Sequence, residues 1–267
     1  MVGNPLKGKS LDEIKQYRWP NPKDENRLKN LKNEAKALAA SECLVVLGGV
    51  GMTVGLLQTF QWLLGYEESF IALGLGEPKA DYIISTLAEL DMEFWNWAIP
   101  YLGDDISVVL YADDFGMQDG PVFSRETSDR FFRPWYAKIF SVIKKNNPRL
   151  KIFFHSCGAT RFVIPDLIEA GVDILNPVQV SAKNMDTKQL KKDFGKDLVF
   201  WGGGVDTQFV LPRGTVEQVK DEVKRRIDDL APGGGFVFNP VHNIQADVPP
   251  ENIMAMWETL MSHGVYR

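Results

Sequence analysis

Six short apolar runs punctuate the chain, and none of them alternates with polar residues. They cover residues 43–47, 106–111, 151–154, 172–175, 198–201 and 235–238. Continuous runs of this length suit strands covered on both faces, as in a parallel sheet. Longer segments between them carry apolar residues at helical spacing. Residues 215–230 line up Val216, Val219, Val223, Ile227 and Leu230 on one stripe. Thr215 with Gln218 three residues on reads as a capping box. Segments 81–97 (with Ile84, Leu87 and Leu90 among its apolar positions), 127–145 and 161–170 also read as helices. Strand and helix in repeated alternation predict an α/β protein with right-handed crossovers. The first 40 residues are rich in Lys, Asn, Asp and Pro and contain no convincing strand. An exposed arm and a surface helix over 24–40 are expected there, with one β/α domain over 41–267.

The polar residues gather on one side of this pattern. After the second run come Asp113 and Asp114, after the third His155, Ser156, Cys157 and Gly158, and after the fourth Asn176 and Gln179. The fifth is followed by Gly202 to Gly204, Asp206 and Gln208, and the sixth by His242 and Gln245. The opposite ends carry ordinary turn sequences such as Asn147-Pro148 and Pro232-Gly233-Gly234. In parallel α/β folds the C-terminal strand ends carry the chemistry. On an extended strand, side chains two apart share a side, so His155 and Cys157 present an imidazole and a thiol together. That is a zinc-type donor pair. Asp113 and Asp114 are adjacent and face opposite sides, so only one of them can point into a site while the other caps or pairs with a base.

Each of these residues also has a plainer reading. His155 and Cys157 would serve as hydrogen-bonded core residues, and His242 as an anchor of the last loop. Asn176 and Gln179 would be turn formers, and Asp206 and Gln208 the start of the next helix. The three glycines lack a nucleotide-loop pattern. Cys43 reads as a buried small hydrophobe, His263 as a surface residue, and Trp95, Trp97, Trp135, Phe131 and Phe132 as packing.

Composition narrows the class. At 267 residues and 45% hydrophobic, the chain is long enough for a sizeable core. A net charge of -5 argues against nucleic acid and anionic membranes as partners. Two cysteines make no disulfide framework. No apolar leader or membrane-length run is visible, which makes a cytoplasmic protein the expectation.

His155-Ser-Cys-Gly, Asn176-Pro-Val-Gln, Trp201-Gly-Gly-Gly-Val-Asp206-Thr-Gln and the stretch from His242 through Pro249-Pro-Glu-Asn-Ile resemble the uroporphyrinogen decarboxylase superfamily. The chain is most similar to its methyltransferase branch. The resemblance runs from about residue 44 to the C-terminus and is densest over 151–253. It implies a (β/α)8 barrel of the TIM type, apparently lacking the first two β/α units, and zinc on a His-x-Cys pair plus a later cysteine. The first two ligands match His155 and Cys157. The third position falls on His242, which is where the metal-free decarboxylase branch also carries a histidine. The arginine-rich motif with which decarboxylases hold their substrate's carboxylates has no counterpart here.

The expectation is a zinc-dependent methyltransferase with metal ligands His155, Cys157 and His242. It would move a methyl group between a small methylated substrate or thiol and a corrinoid (cobalamin) carried on a separate protein. Asp113, Asp114 and His242 are the candidate catalytic residues; Asn176, Gln179, Asp206, Gln208 and Gln245 would face substrate. One alternative is a metal-free decarboxylase of a tetrapyrrole-like substrate, with His242 and one of the two aspartates handling protons. Another is a non-catalytic barrel that binds a ligand or a partner. Six strands do not close an eight-stranded barrel: the chain is a fragment, or a second copy or another chain covers the gap, or the barrel is open, and an incomplete barrel is the expectation.

Overall fold

The structure is a computed structural model that describes residues 3–48 and 54–265. All six expected strands are present. They are β1 (Val46–Leu47), β2 (Val108–Ala112), β3 (Lys151–His155), β4 (Ile174–Asn176), β5 (Val199–Trp201) and β6 (Phe236–Val237). Their order in the sheet follows the chain, β1 to β6. The register pairs Val46 with Val108, Ile174 with Val199 and Phe200 with Phe236, each in parallel. Strands β2 to β4 are buried along almost their whole length, which is why their sequences run apolar without alternation.

The helices are α1 (Leu11–Lys15), α2 (Leu31–Ala40), α3 (Leu56–Leu64), α4 (Tyr66–Leu75), α5 (Pro78–Leu102), α6 (Arg125–Phe131), α7 (Arg133–Asn146), α8 (Ile164–Ala170), α9 (Thr187–Phe194), α10 (Val210–Arg213), α11 (Val216–Leu230) and α12 (Pro250–His263). The segment expected as one helix over 127–145 is two, α6 and α7, which meet at Phe132 with Pro134 opening the second. A proline fits the first turn of a helix and not its interior. The helix expected over 24–40 is a short 3-10 turn, Glu25–Arg27, followed by α2.

The chain divides into two compact units. The first holds Met1–Asp114, Phe123–Phe154 and Glu169–Val172. Its core includes Phe94, Trp95, Tyr111, Tyr136, Phe140 and Phe154, which meet largely edge to face. Long α5 packs on α7. The first 40 residues are not a free arm: Leu6, Ile14 and Leu28 are fully buried, and the Leu6 N–H donates to the Leu63 carbonyl. Cys43 corrects another expectation. It is exposed, because β1 begins only at Val46 and Cys43 belongs to the turn after α2.

The second unit holds Phe115–Val122, His155–Ile168 and Asp173–Arg267. Helix α11 packs on α9 and α12. Its stripe residues Val219, Val223 and Ile227 join Val205, Leu211, Val248 and Met256 in one apolar cluster. The expected capping box is present. The Thr215 N–H donates to Gln218 Oε1 at 2.8 Å, and the Gln218 N–H donates to Thr215 Oγ1 at 3.3 Å. Among the described residues no helix is long and apolar enough to cross a membrane.

Candidate metal centre

In the first unit, Asp113 follows directly on β2 and is 1% exposed. It accepts from the Leu57 N–H and the Gln58 N–H, both at 2.8 Å, and from the Tyr136 hydroxyl at 2.6 Å. The Tyr136 hydroxyl in turn accepts from the Leu56 N–H at 2.9 Å. Helix α3 begins after Gly55, which has no side chain to cap it. Asp113 and Tyr136 therefore satisfy three of the amides a helix start leaves open. Burial pushes the Asp113 carboxyl up to about 7, against the pull of its three donors. Asp113 is thus committed to capping α3. Asp114, the next residue, is exposed.

The second unit holds the imidazole and the thiol. His155 is the last residue of β3, and both it and Cys157 are half-buried. His155 Nε2 lies 3.5 Å from Cys157 Sγ, and His155 Nδ1 lies 2.6 Å from Asn176 Oδ1. Ser156, between them, is fully buried. Its N–H donates to the Asn176 carbonyl at 2.7 Å, and its Oγ accepts from the Phe115 N–H at 3.0 Å. One peptide bond separates Phe115 from Asp114.

Two glycines set the turn. Gly158 has φ of +86°, which side chains rarely adopt, and a Cβ there would run into the backbone of Gly116. A Cβ on Gly116 would come within 2.6 Å of the Ala159 nitrogen and 2.7 Å of the Cys157 carbonyl. The backbone carrying Cys157 is thereby packed directly on the loop over Phe115–Val122.

The pair fits zinc. Zn–N near 2.0–2.1 Å and Zn–S near 2.3 Å at a tetrahedral angle put the two donor atoms about 3.6 Å apart. The observed separation is 3.5 Å. His242 is exposed in the loop after β6, and among the described residues no group of three metal-ligating side chains includes it. This conformation does not bring His242 to the pair.

The other expected site residues divide by their partners. Gln179 is buried; its Oε1 accepts from the Gly158 N–H at 2.7 Å and its amide donates to Gln118 Oε1 at 2.9 Å. It braces the Cys157 turn. Asp206 is also buried, and accepts from the N–H groups of Gln208 and Phe209 at 3.0 and 3.1 Å, ahead of α10. Gln208 is exposed and accepts from the Ser181 hydroxyl at 3.1 Å. Gln245 is exposed and donates to the Asn243 carbonyl at 3.3 Å. His263 is a surface residue, as expected, and pairs with Asp228 at 2.8 Å. Gln118 was not anticipated as a bracing residue. Its signal was only that it follows the second run.

Comparison with known proteins bears on the family and the fold. A model of the uroporphyrinogen decarboxylase (URO-D) family matches residues 9–263, and the chain belongs to that family. A uroporphyrinogen decarboxylase of Geobacter metallireducens is 23% identical over 257 residues, which is 94% of this chain and 69% of that protein. One from Geobacter sulfurreducens is 22% identical over the same shares. Among solved structures, a methyltransferase from Methanosarcina mazei superposes with a TM-score of 0.62 at 17% identity, covering 98% of this chain and 70% of that one. The shared fold bears out the TIM-type α/β expectation.

Proposed function

We propose that the protein is a zinc-dependent methyltransferase of the URO-D family. The observation that carries this reading is the 3.5 Å separation of His155 Nε2 and Cys157 Sγ, which matches the bite a tetrahedral zinc requires. The pair supplies nitrogen and sulfur donors of the kind zinc accepts. Bound zinc supplies a Lewis-acid position that favours thiolate over thiol, or polarises an ether oxygen.

The protein's own residues hold and shape that position. Gln179 and the Gly116–Gly158 contact fix the Cys157 turn, and Asp206 orders the loop that carries Gln208. Gln208, Gln245 and His242 are exposed polar groups on the loops after β5 and β6, and they recognise the small methylated substrate or thiol. The methyl carrier is a corrinoid on a separate protein.

The test is to incubate zinc-loaded protein with methylcobalamin and a small thiol and follow the cobalamin spectrum. Demethylation that requires zinc, and that Cys157→Ser abolishes, is the expected result. A rate indifferent to both would refute the proposal. The second reading, metal-free decarboxylation, is favoured by the decarboxylase names of the curated relatives. It predicts tetrapyrrole binding in absorbance titration, unaffected by chelators.

A further inference from the structure

We infer that Asn176 is a positioning residue: it fixes the proton of His155 on Nδ1 and so presents the Nε2 lone pair toward Cys157. The functional consequence rests on the zinc reading; the geometry does not.

The argument begins at β5. The Trp201 carbonyl oxygen can only accept a hydrogen bond, and it lies 2.7 Å from the Asn176 amide nitrogen. An Asn176 turned the other way would set two oxygens against each other at that distance. The amide is therefore oriented by the network, with NH2 toward Trp201 and Oδ1 toward His155. Oδ1 is also an acceptor only, and it lies 2.6 Å from His155 Nδ1. Nδ1 must supply the hydrogen. A neutral imidazole carries one ring proton, so Nε2 is the acceptor nitrogen.

That nitrogen is the one 3.5 Å from Cys157 Sγ. A lone pair there suits either state of the pair: it accepts from the thiol, or it shares a cation with the thiolate. The opposite tautomer would aim an N–H at the sulfur and exclude a cation. Asn176 is 9% exposed, so water competes poorly for its amide. Gly202 leaves room for it. With φ of +108°, a Cβ at Gly202 would press to 3.3 Å from Asn176 Nδ2 and 3.4 Å from Pro177 Cα. Strand ends β3, β4 and β5 thus contribute one group each to a single relay. Hydrogen-bond partners of this kind orient metal-binding histidines and are typically worth 10–100-fold in metal affinity. Asn176 was expected to face substrate; its side chain is instead turned to His155 and Trp201.

The experiment uses metal-free protein with nitrogen-labelled histidine at alkaline pH. Long-range proton–nitrogen correlations report the tautomer of each ring, and the chain has 3 histidines to assign. His155 is expected with its proton on Nδ1. Asn176→Ala is expected to move the population toward the other tautomer and to weaken zinc binding roughly 10–100-fold. A wild-type ring protonated on Nε2 would overturn the inference, as would an unchanged tautomer in Asn176→Ala. If the wild-type tautomer is as expected but zinc titration shows no binding, the positioning role stands and the metal reading falls.

Discussion

Asp113 and Asn176 occupy matching places in the two units, each at the C-terminal end of a strand, and they serve different ends. Asp113 is surrounded by donors from its own unit: two amides of α3 and the Tyr136 hydroxyl. Its oxygens are spent on holding a helix that lacks a capping side chain. Asn176 spends its amide on one neighbouring carbonyl and on one imidazole. That imidazole then faces a thiol at 3.5 Å. A polar residue at a strand end becomes architecture when its partners are backbone amides. It becomes part of a chemical centre when its partner is a second side chain that itself faces a donor atom.

Four substitutions or conditions probe that contrast. The largest effect is expected from Gly158→Ala, which combines left-handed strain with a collision against the Gly116 backbone. A loss of about 4 kcal/mol follows from adding strain and overpacking costs. Zinc retention should fall with it, which denaturant titration and metal analysis together would show. Asp113→Ala is expected next. It leaves two helix-start amides and a buried hydroxyl without their acceptor, at a cost of about 3 kcal/mol. A loss below about 1 kcal/mol in chemical denaturation would show that Asp113 is not a structural cap.

The same residue predicts a pH dependence. Its folded carboxyl titrates near 7 against an ordinary 3.8, so the folded chain holds the proton more tightly than the unfolded one. Asp91, buried beside Tyr111, is raised in the same direction by burial. The contribution of Asp113 is fully present below pH 3.8 and is lost as pH rises toward 7. Melting temperature should therefore decline over that window, and Asp113→Asn should flatten the decline. The smallest effect is expected for Thr215→Ala, which removes the capping box of α11 for about 1 kcal/mol.

The sheet was legible because β2 to β4 are covered on both faces and leave uninterrupted apolar runs. Helix α11 was legible because one face meets solvent and its cap is local. Helix α3 was not. Its sequence, Leu-Leu-Gln-Thr-Phe-Gln-Trp-Leu-Leu, follows Gly55 with no side-chain cap of its own, so no local signal marks its start. The His155–Cys157 pair could be read from a spacing of two residues. The roles of Asp113 and Asn176 could not, because their partners lie far along the chain. Leu57 precedes Asp113 by 56 positions, and Trp201 follows Asn176 by 25. Before folding, either residue reads equally well as a turn, a cap or a substrate contact.

The most direct measurement is zinc-edge X-ray absorption on protein purified without a histidine tag, together with its zinc content. The account predicts close to one zinc per chain, with one sulfur near 2.3 Å and nitrogen or oxygen neighbours near 2.0–2.1 Å, and loss of the sulfur contribution in Cys157→Ser. A full complement of zinc with no sulfur neighbour, or protein that binds no zinc at all, would contradict it.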